Sequence, residues 1–321
     1  MSKLKLLFMS IAVAALAACG AEEETNKGKT PTAETVAVEE TNAEAAEFTI
    51  VDALGNEHVF DEAPEAIATL NPGELDVLVS LEANVVGRPE MSTKQRAEVE
   101  SIQTIGNPHN PSFEQIAALG ADVLIVPPSF AQFEQTVEAQ GTTVVYSNPE
   151  TIEDILGSVE LIGTMLHKED EAAALVEQLQ GDIDALSGDS EVRALMVYGA
   201  GNTFLAALPQ SLPGAILEAS GGVNIAAEFE ATEKYPSYAS LSSELIVAQN
   251  PQAIFLLTHS DPVAVQAAFE QQMNTNATWK NLDAVKNDKF YVLPADLFGN
   301  NPGTRIVESV QYMINALNDI Q

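Results

Sequence analysis

Residues 169–186 read EDEAAALVEQLQGDIDAL, and the architecture turns on this stretch. Ala172, Leu175, Leu179, Ile183 and Leu186 recur at three- and four-residue spacing, which predicts one long amphipathic helix whose acidic start complements the helix dipole. On both sides of it, short apolar runs alternate with helical periodicity, the pattern of α/β layers. Before it, strands are predicted over Ala66–Leu70, Val85–Gly87, Val123–Val126 and Thr143–Tyr146, with helices over Glu74–Leu81, Ser112–Leu119 and Phe130–Gln140. After it come strands over Arg193–Tyr198, Ala253–Leu257 and Phe290–Leu293, and helices over Pro213–Ala219, Ser242–Ala248, Val263–Gln271 and Arg305–Leu317. The expected fold is therefore α/β, with two similar lobes at 48–167 and 188–321, a stiff linking helix at 168–187 and a ligand cleft between the lobes. The 321 residues suffice for a core in each lobe.

Composition narrows the function. At 46% apolar and 19% charged residues the chain is globular, neither disordered nor a multi-span membrane protein. Fourteen Lys and Arg against 47 Asp and Glu leave a net charge of −33, a field that repels nucleic acid and anionic lipid, so nucleic-acid binding is excluded. An anionic ligand would have to be held by local contacts, because screening hides the global field beyond roughly 8 Å.

The first 20 residues, MSKLKLLFMSIAVAALAACG, have the layout of a secretory signal peptide, predicted over 1–18: Lys3 and Lys5, an apolar run from Leu6 to Leu16, then small residues. That run is too short to span a hydrocarbon core of roughly 30 Å. Leu16-Ala17-Ala18-Cys19-Gly20 resembles a bacterial lipobox, which implies lipidation of Cys19 and an extracytoplasmic protein anchored to the cell membrane. The alternative, an ordinary signal peptide, leaves the single cysteine as an unpaired thiol in an oxidising compartment. Residues 19–47, rich in Glu with few bulky apolar residues, read as an acidic tether.

From about Phe48 onward the chain resembles the substrate-binding lipoproteins of ABC importers, in the class whose two lobes are joined by one long helix and which carry iron-siderophores, vitamin B12 or haem. The resemblance rests on Val85-Val86-Gly87-Arg88-Pro89, on Ile105-Gly106-Asn107-Pro108 leading to Pro111-Ser112-Phe113-Glu114-Gln115-Ile116, and on Ala121-Asp122-Val123-Leu124-Ile125. Ser220-Gly221-Gly222-Val223-Asn224, Asn250-Pro251-Gln252-Ala253-Ile254 and the run from Trp279 to Leu293 extend it. It implies a monomer that delivers its ligand to a permease dimer.

The four histidines occupy different settings. His58 lies in a polar turn and reads as a solvated surface residue, and His167 ends a helical stretch where an imidazole can cap carbonyls. His109 is bracketed by Pro108 and Pro111 just before the Phe113 helix, and His259 follows an apolar strand, at the carboxyl end where open α/β sheets bind ligands. From the residues alone, both are equally well read as loop histidines bonded to backbone. The resemblance adds more, since haem-binding members carry axial iron ligands at both places. It implies His109 and His259 on a low-spin, six-coordinate haem iron, transported and not used for oxygen chemistry, with Met91 as a reserve thioether ligand. Arg88, with Lys94 and Arg96, is the basic cluster that could meet propionates, and Tyr235 and Tyr238 lie in a loop that lines the cleft in relatives. The same cluster would clamp an anionic siderophore, so iron-siderophore or cobalamin binding stays open.

An enzyme reading finds little support. No HExxH or CxxC spacing, GxSxG elbow or GxxxxGK[ST] loop occurs. Glu114 and Glu244 each stand early in a predicted helix, two residues after a Ser that suits an N-cap. By themselves these read as stabilised helix starts; by resemblance they imply one docking carboxylate per lobe for the permease.

Overall fold

The structure is a computed structural model that describes residues 47–91, 97–186, 188, 190–299 and 301–320. Cys19, the expected signal peptide and nearly all of the tether, and Lys94 and Arg96 lie outside the described residues.

The first lobe opens with a hairpin, β1 (Phe48–Val51) and β2 (Glu57–Phe60), followed by β3 (Ile67–Thr69), α1 (Pro72–Ser80), β4 (Val85–Arg88), α2 (Ala97–Glu100) and β5 (Gln103–Thr104). A small hairpin of β6 (Gly106–Asn107) and β7 (Asn110–Pro111) leads to α3 (Phe113–Leu119), β8 (Val123–Val126), α4 (Glu134–Glu138) and β9 (Thr143–Tyr146). Strands β5-β4-β3-β8-β9 form a parallel sheet. Its centre is buried on both sides, and the pleat explains the continuous apolar run of β8. Val123 and Ile125 face a core shared with Val77, Leu78 and Ile162, whereas Leu124 and Val126 face one shared with Ile116, Phe130 and Val137. Each such side chain contributes roughly 1.5–3 kcal/mol on burial.

Two helices follow, α5 (Ile152–Met165) and α6 (Glu169–Ala185). The second lobe runs β10 (Arg193–Ala200), β11 (Thr203–Ala207), α7 (Leu212–Ala219), β12 (Val223–Asn224), β13 (Tyr238–Ser240), α8 (Ser243–Gln249) and β14 (Ala253–Leu257). It continues with α9 (Pro262–Thr275), α10 (Asp283–Lys286), β15 (Phe290–Val292), α11 (Ala295–Phe298) and α12 (Ile306–Asn318). Its sheet, β13-β11-β10-β14-β15 with β12 beside β10, is mixed: β10, β12, β14 and β15 pair in parallel, and β11 pairs antiparallel with both β10 and β13.

The linking helix has a partner that its periodicity did not announce. Along α5, Ile152 and Ile155 pack on the second-lobe core and Val159, Ile162 and Met165 on the first; along α6, Ala172 belongs to the first core, and Leu179 and Ile183 to the second. A helical hairpin therefore spans both lobes. Its first helix is fixed by a capping box, with Thr151 Oγ1 accepting from the Asp154 N–H at 3.1 Å and Asp154 Oδ2 accepting from the Thr151 N–H at 2.9 Å. The helix expected over Phe130–Gln140 is instead a 3-10 turn at Pro128–Phe133 followed by the short α4, and Pro127, held extended before Pro128, fixes where the turn begins.

His58 departs from its expected solvated state. Its side chain is 12% exposed and its Nε2 lies 3.0 Å from Asp52 Oδ2. Asp52 also accepts from the N–H groups of Leu54, Asn56 and Tyr146, so the pair ties the β1-β2 hairpin to β9. His167 sits at φ 53° after α5, packed against Phe48 with ring centroids 4.3 Å apart and the planes tilted by 54°.

Candidate functional site

The loops at the carboxyl ends of the strands in both sheets converge on a cleft of about 1000 Å³. Its first-lobe wall comprises the β3-α1 turn, Glu90 and Met91 after β4, the β6-β7 turn and the segment 147–150 after β9. Its second-lobe wall includes Tyr198, the segment 234–238, His259 and residues within 295–299 and 301–305.

His109 and His259 both line this cleft, one from each lobe. His109 occupies the two-residue turn between β6 and β7. Asn107 Oδ1 builds the turn by accepting from the N–H groups of His109 at 3.1 Å and Asn110 at 3.0 Å. Gly106, at φ 91°, allows the return, because a Cβ there would meet the Asn110 carbonyl at 2.5 Å. The imidazole itself is exposed.

His259 is more closely held. Thr258 Oγ1 accepts from the Ser260 N–H at 3.0 Å, and Asp261 caps α9 through the N–H groups of Val263 and Ala264, so the turn carrying the ring is clamped on both sides. The ring opens to the cleft but is crowded from behind by Gly299 and Tyr198, the latter with its centroid 5.7 Å away. This crowding lowers its pKa, against an opposing hydrogen bond with the Gly299 backbone. The shift favours the neutral imidazole, the form that ligates metals. Tyr238 stands 5.7 Å beyond Tyr198, so the three rings make an aromatic wall, and burial pushes the Tyr238 hydroxyl up to about 12. Among the described residues, no cluster of three or more His, Cys, Asp or Glu is arranged to hold a metal ion.

Met91 and Tyr235 also line the cleft, the latter with Lys234 Nζ 5.0 Å above its ring. Arg88 does not. Its Nε donates to the Ile102 carbonyl at 3.1 Å and its Nη1 to that of Pro89 at 3.1 Å, which fixes the loop after β4 and turns the guanidinium away from the cleft lining. Sequence reasoning passed over Arg305, which does line the cleft; bonding to Glu308 and Asp296 raises its pKa and neutralises it locally. Its signal was the helix start after Pro302-Gly303. Passed over as well were Tyr198, within a strand, and Glu74, within a helix start.

Glu114 and Glu244 are exposed in the first turns of α3 and α8. Ser242 caps its helix by accepting from the Leu245 N–H at 3.4 Å, whereas Ser112 makes no such bond. Beside Glu244, Leu245 and Val247 are 42% and 37% exposed.

Comparison with known proteins agrees with this geometry. Residues 67–297 match the family model described as periplasmic binding protein. A cobalamin-binding protein of Halobacterium salinarum is 26% identical over 84% of this chain and 73% of its own length. The high-affinity heme uptake system protein IsdE of Staphylococcus aureus is 22% identical over 69% of this chain and 76% of its own. The crystal structure of S. aureus IsdE complexed with heme superposes with a TM-score of 0.68 and 19% identity, covering 78% of this chain and 98% of that one. An ABC transporter substrate-binding protein from Listeria monocytogenes also gives 0.68, at 22% identity, over 80% of this chain and all of that one. With the family model spanning both lobes and the cleft between them, the chain belongs to the periplasmic binding protein family and is a substrate-binding protein, not an enzyme.

Proposed function

We propose that this protein captures haem in the cleft and delivers it to an ABC importer, with His109 and His259 as the axial ligands of the iron. The observation that carries the reading is that two imidazoles from opposite lobes line one cleft, beside a wall formed by Tyr198 and Tyr238. Two imidazoles are a poor cage for a bare ion, but they complete the two axial positions of an iron already held in a porphyrin plane. Haem is here a cargo. Tyr235 supplies a further aromatic surface, and Met91 is the reserve ligand if one histidine is not used. Lys234, stacked on Tyr235, takes the propionate role expected of Arg88.

We read the remaining parts of the chain in the same frame. Cys19 carries the lipid anchor and 19–47 the tether, which hold the lobes at 48–167 and 188–321 outside the cytoplasm. Glu114 and Glu244 meet the permease subunits, a role supported by their exposure on separate lobes and by the apolar Leu245 and Val247 beside one of them.

Haemin titrated into the purified full chain tests the ligand. A Soret band typical of low-spin, six-coordinate iron is expected, altered in both His109→Ala and His259→Ala. The cobalamin-binding relative makes cobalamin the second reading. Uptake of cyanocobalamin without haemin binding would establish it and overturn the first.

A further inference from the structure

Two copies of one tripeptide face each other at the back of the cleft. Asn71-Pro72-Gly73 starts α1 in the first lobe, and Asn301-Pro302-Gly303 precedes α12 in the second. Their glycines allow the backbones to close together: a Cβ on Gly73 would collide with Asn301, and one on Gly303, at φ 61°, would lie 2.5 Å from the Gly73 carbonyl. Polar bonds cross this seam. Thr304 donates to Asp76 Oδ2 from its N–H at 3.0 Å and from its hydroxyl. Glu74 Oε1 accepts from Ser147 Oγ of its own lobe at 2.5 Å and from Asn301 Nδ2 of the other at 3.2 Å.

Glu74 is an unusual group to find there. It is wholly buried, and its Oε2 has no hydrogen-bond partner. A buried acid left half satisfied opposes stability locally, and such groups persist where they serve function. We propose that Glu74 and Asp76, with Asn301 and Thr304, form an inter-lobe latch that holds the cleft at one angle, with Glu74 as its positioning residue. Burial raises the Glu74 pKa, against the hydrogen bonds from Ser147 and Asn301, a shift toward the neutral acid in the latched form. Rotating the lobes apart breaks both cross-lobe contacts, Asn301 with Glu74 and Thr304 with Asp76.

The latch rests on the cleft being the binding site and not on the identity of the ligand, so its test uses ligand-free protein. Spin labels at Glu138→Cys and Ala267→Cys, exposed positions on the two lobes, in a full chain also carrying Cys19→Ser, report the inter-lobe distance distribution. Glu74→Ala should broaden it toward longer distances, with the open population rising on the order of five- to tenfold for one lost hydrogen bond. Glu74→Gln, which mimics the neutral acid, should restore the narrow distribution. Asn301→Ala breaks the contact from the other side and carries the test if Glu74→Ala does not fold. A narrow distribution in folded Asn301→Ala overturns the latch, and broadening in Glu74→Gln equal to that in Glu74→Ala overturns the neutral acid. Failure of haemin to bind while these outcomes hold would reject the haem reading alone.

Discussion

Gly299→Ala is the most direct probe of how His259 is aimed. A Cβ at this position would lie 2.7 Å from His259 Cε1, 3.0 Å from its Nδ1 and 2.7 Å from the Ala295 carbonyl. Ordinary carbon contacts begin near 3.5 Å, so the imidazole or the end of α11 has to move by several tenths of an ångström. The turn that carries the ring is clamped by Thr258 and Asp261, and the carbonyl belongs to backbone, so the ring is the softer partner and swings toward the cleft. Overpacking of this kind costs about 1–3 kcal/mol. For a body of this size that corresponds to a fall in Tm of roughly 2–4 °C per kcal/mol, with the fold retained. Ligand binding should suffer more, because a metal bond is directional and loses most of its strength when its donor is misaligned. Haemin affinity in Gly299→Ala should therefore fall toward that of His259→Ala, with the same change in the Soret region. Wild-type affinity and spectrum in Gly299→Ala, alongside a clear loss in His259→Ala, would refute the positional reasoning. Wild-type behaviour in both would remove His259 from the ligand set.

Other outcomes can be checked independently. Asp52 is buried, which would raise its pKa, but its bonds to His58, Asn56 and Tyr146 more than reverse this and hold the carboxyl below its ordinary value of 3.8. Stability from this group is thus complete above that value and lost as pH falls through the lower, folded one; Asp52→Asn should flatten the acid limb of the pH–stability curve and destabilise at neutral pH by about 3 kcal/mol in urea titrations. Cys19→Ser should release the protein from membranes into the medium, as judged by fractionation; equal retention would exclude the lipid anchor. Glu114→Ala with Glu244→Ala should leave haemin affinity and Tm nearly unchanged while uptake by whole cells falls, since rim charges act on association more than on fold. Normal uptake would refute the docking role.

Several elements were legible because one local signal sufficed. The runs at Val123–Val126, Thr143–Tyr146 and Ala253–Leu257 are strands with the predicted limits: the first and last are central parallel strands, apolar on both faces, and Thr143–Tyr146, at the sheet edge, is a β-branched run closed by Ser147-Asn148-Pro149. The helix starting at Glu169 was carried by its periodicity. The mixed character of the second sheet was not, because Thr203–Ala207 and Tyr238–Ser240 are short, and only pairing across the fold gives them strand geometry. Nor did α5 register as half of a hairpin, since its apolar face turns from one lobe's core to the other along its length.

Function divides along the same line. The α/β class, the two-lobed plan, the acidic surface and the two loop histidines follow from patterns within about 20 residues, where periodicity, charge and turn chemistry act locally. Which groups meet in the cleft is a matter of long-range placement. Arg88 is basic in sequence yet its guanidinium bonds backbone carbonyls at Pro89 and, beyond α2, Ile102, while Arg305 reaches the cleft already paired. His58 looks solvent-facing until Asp52 is seen across the hairpin. The meeting of Glu74 with Asn301, far apart along the chain, exists only once both lobes have folded against each other. Desolvation, ion pairing and close backbone approach depend on that packing, and they decided what these residues do.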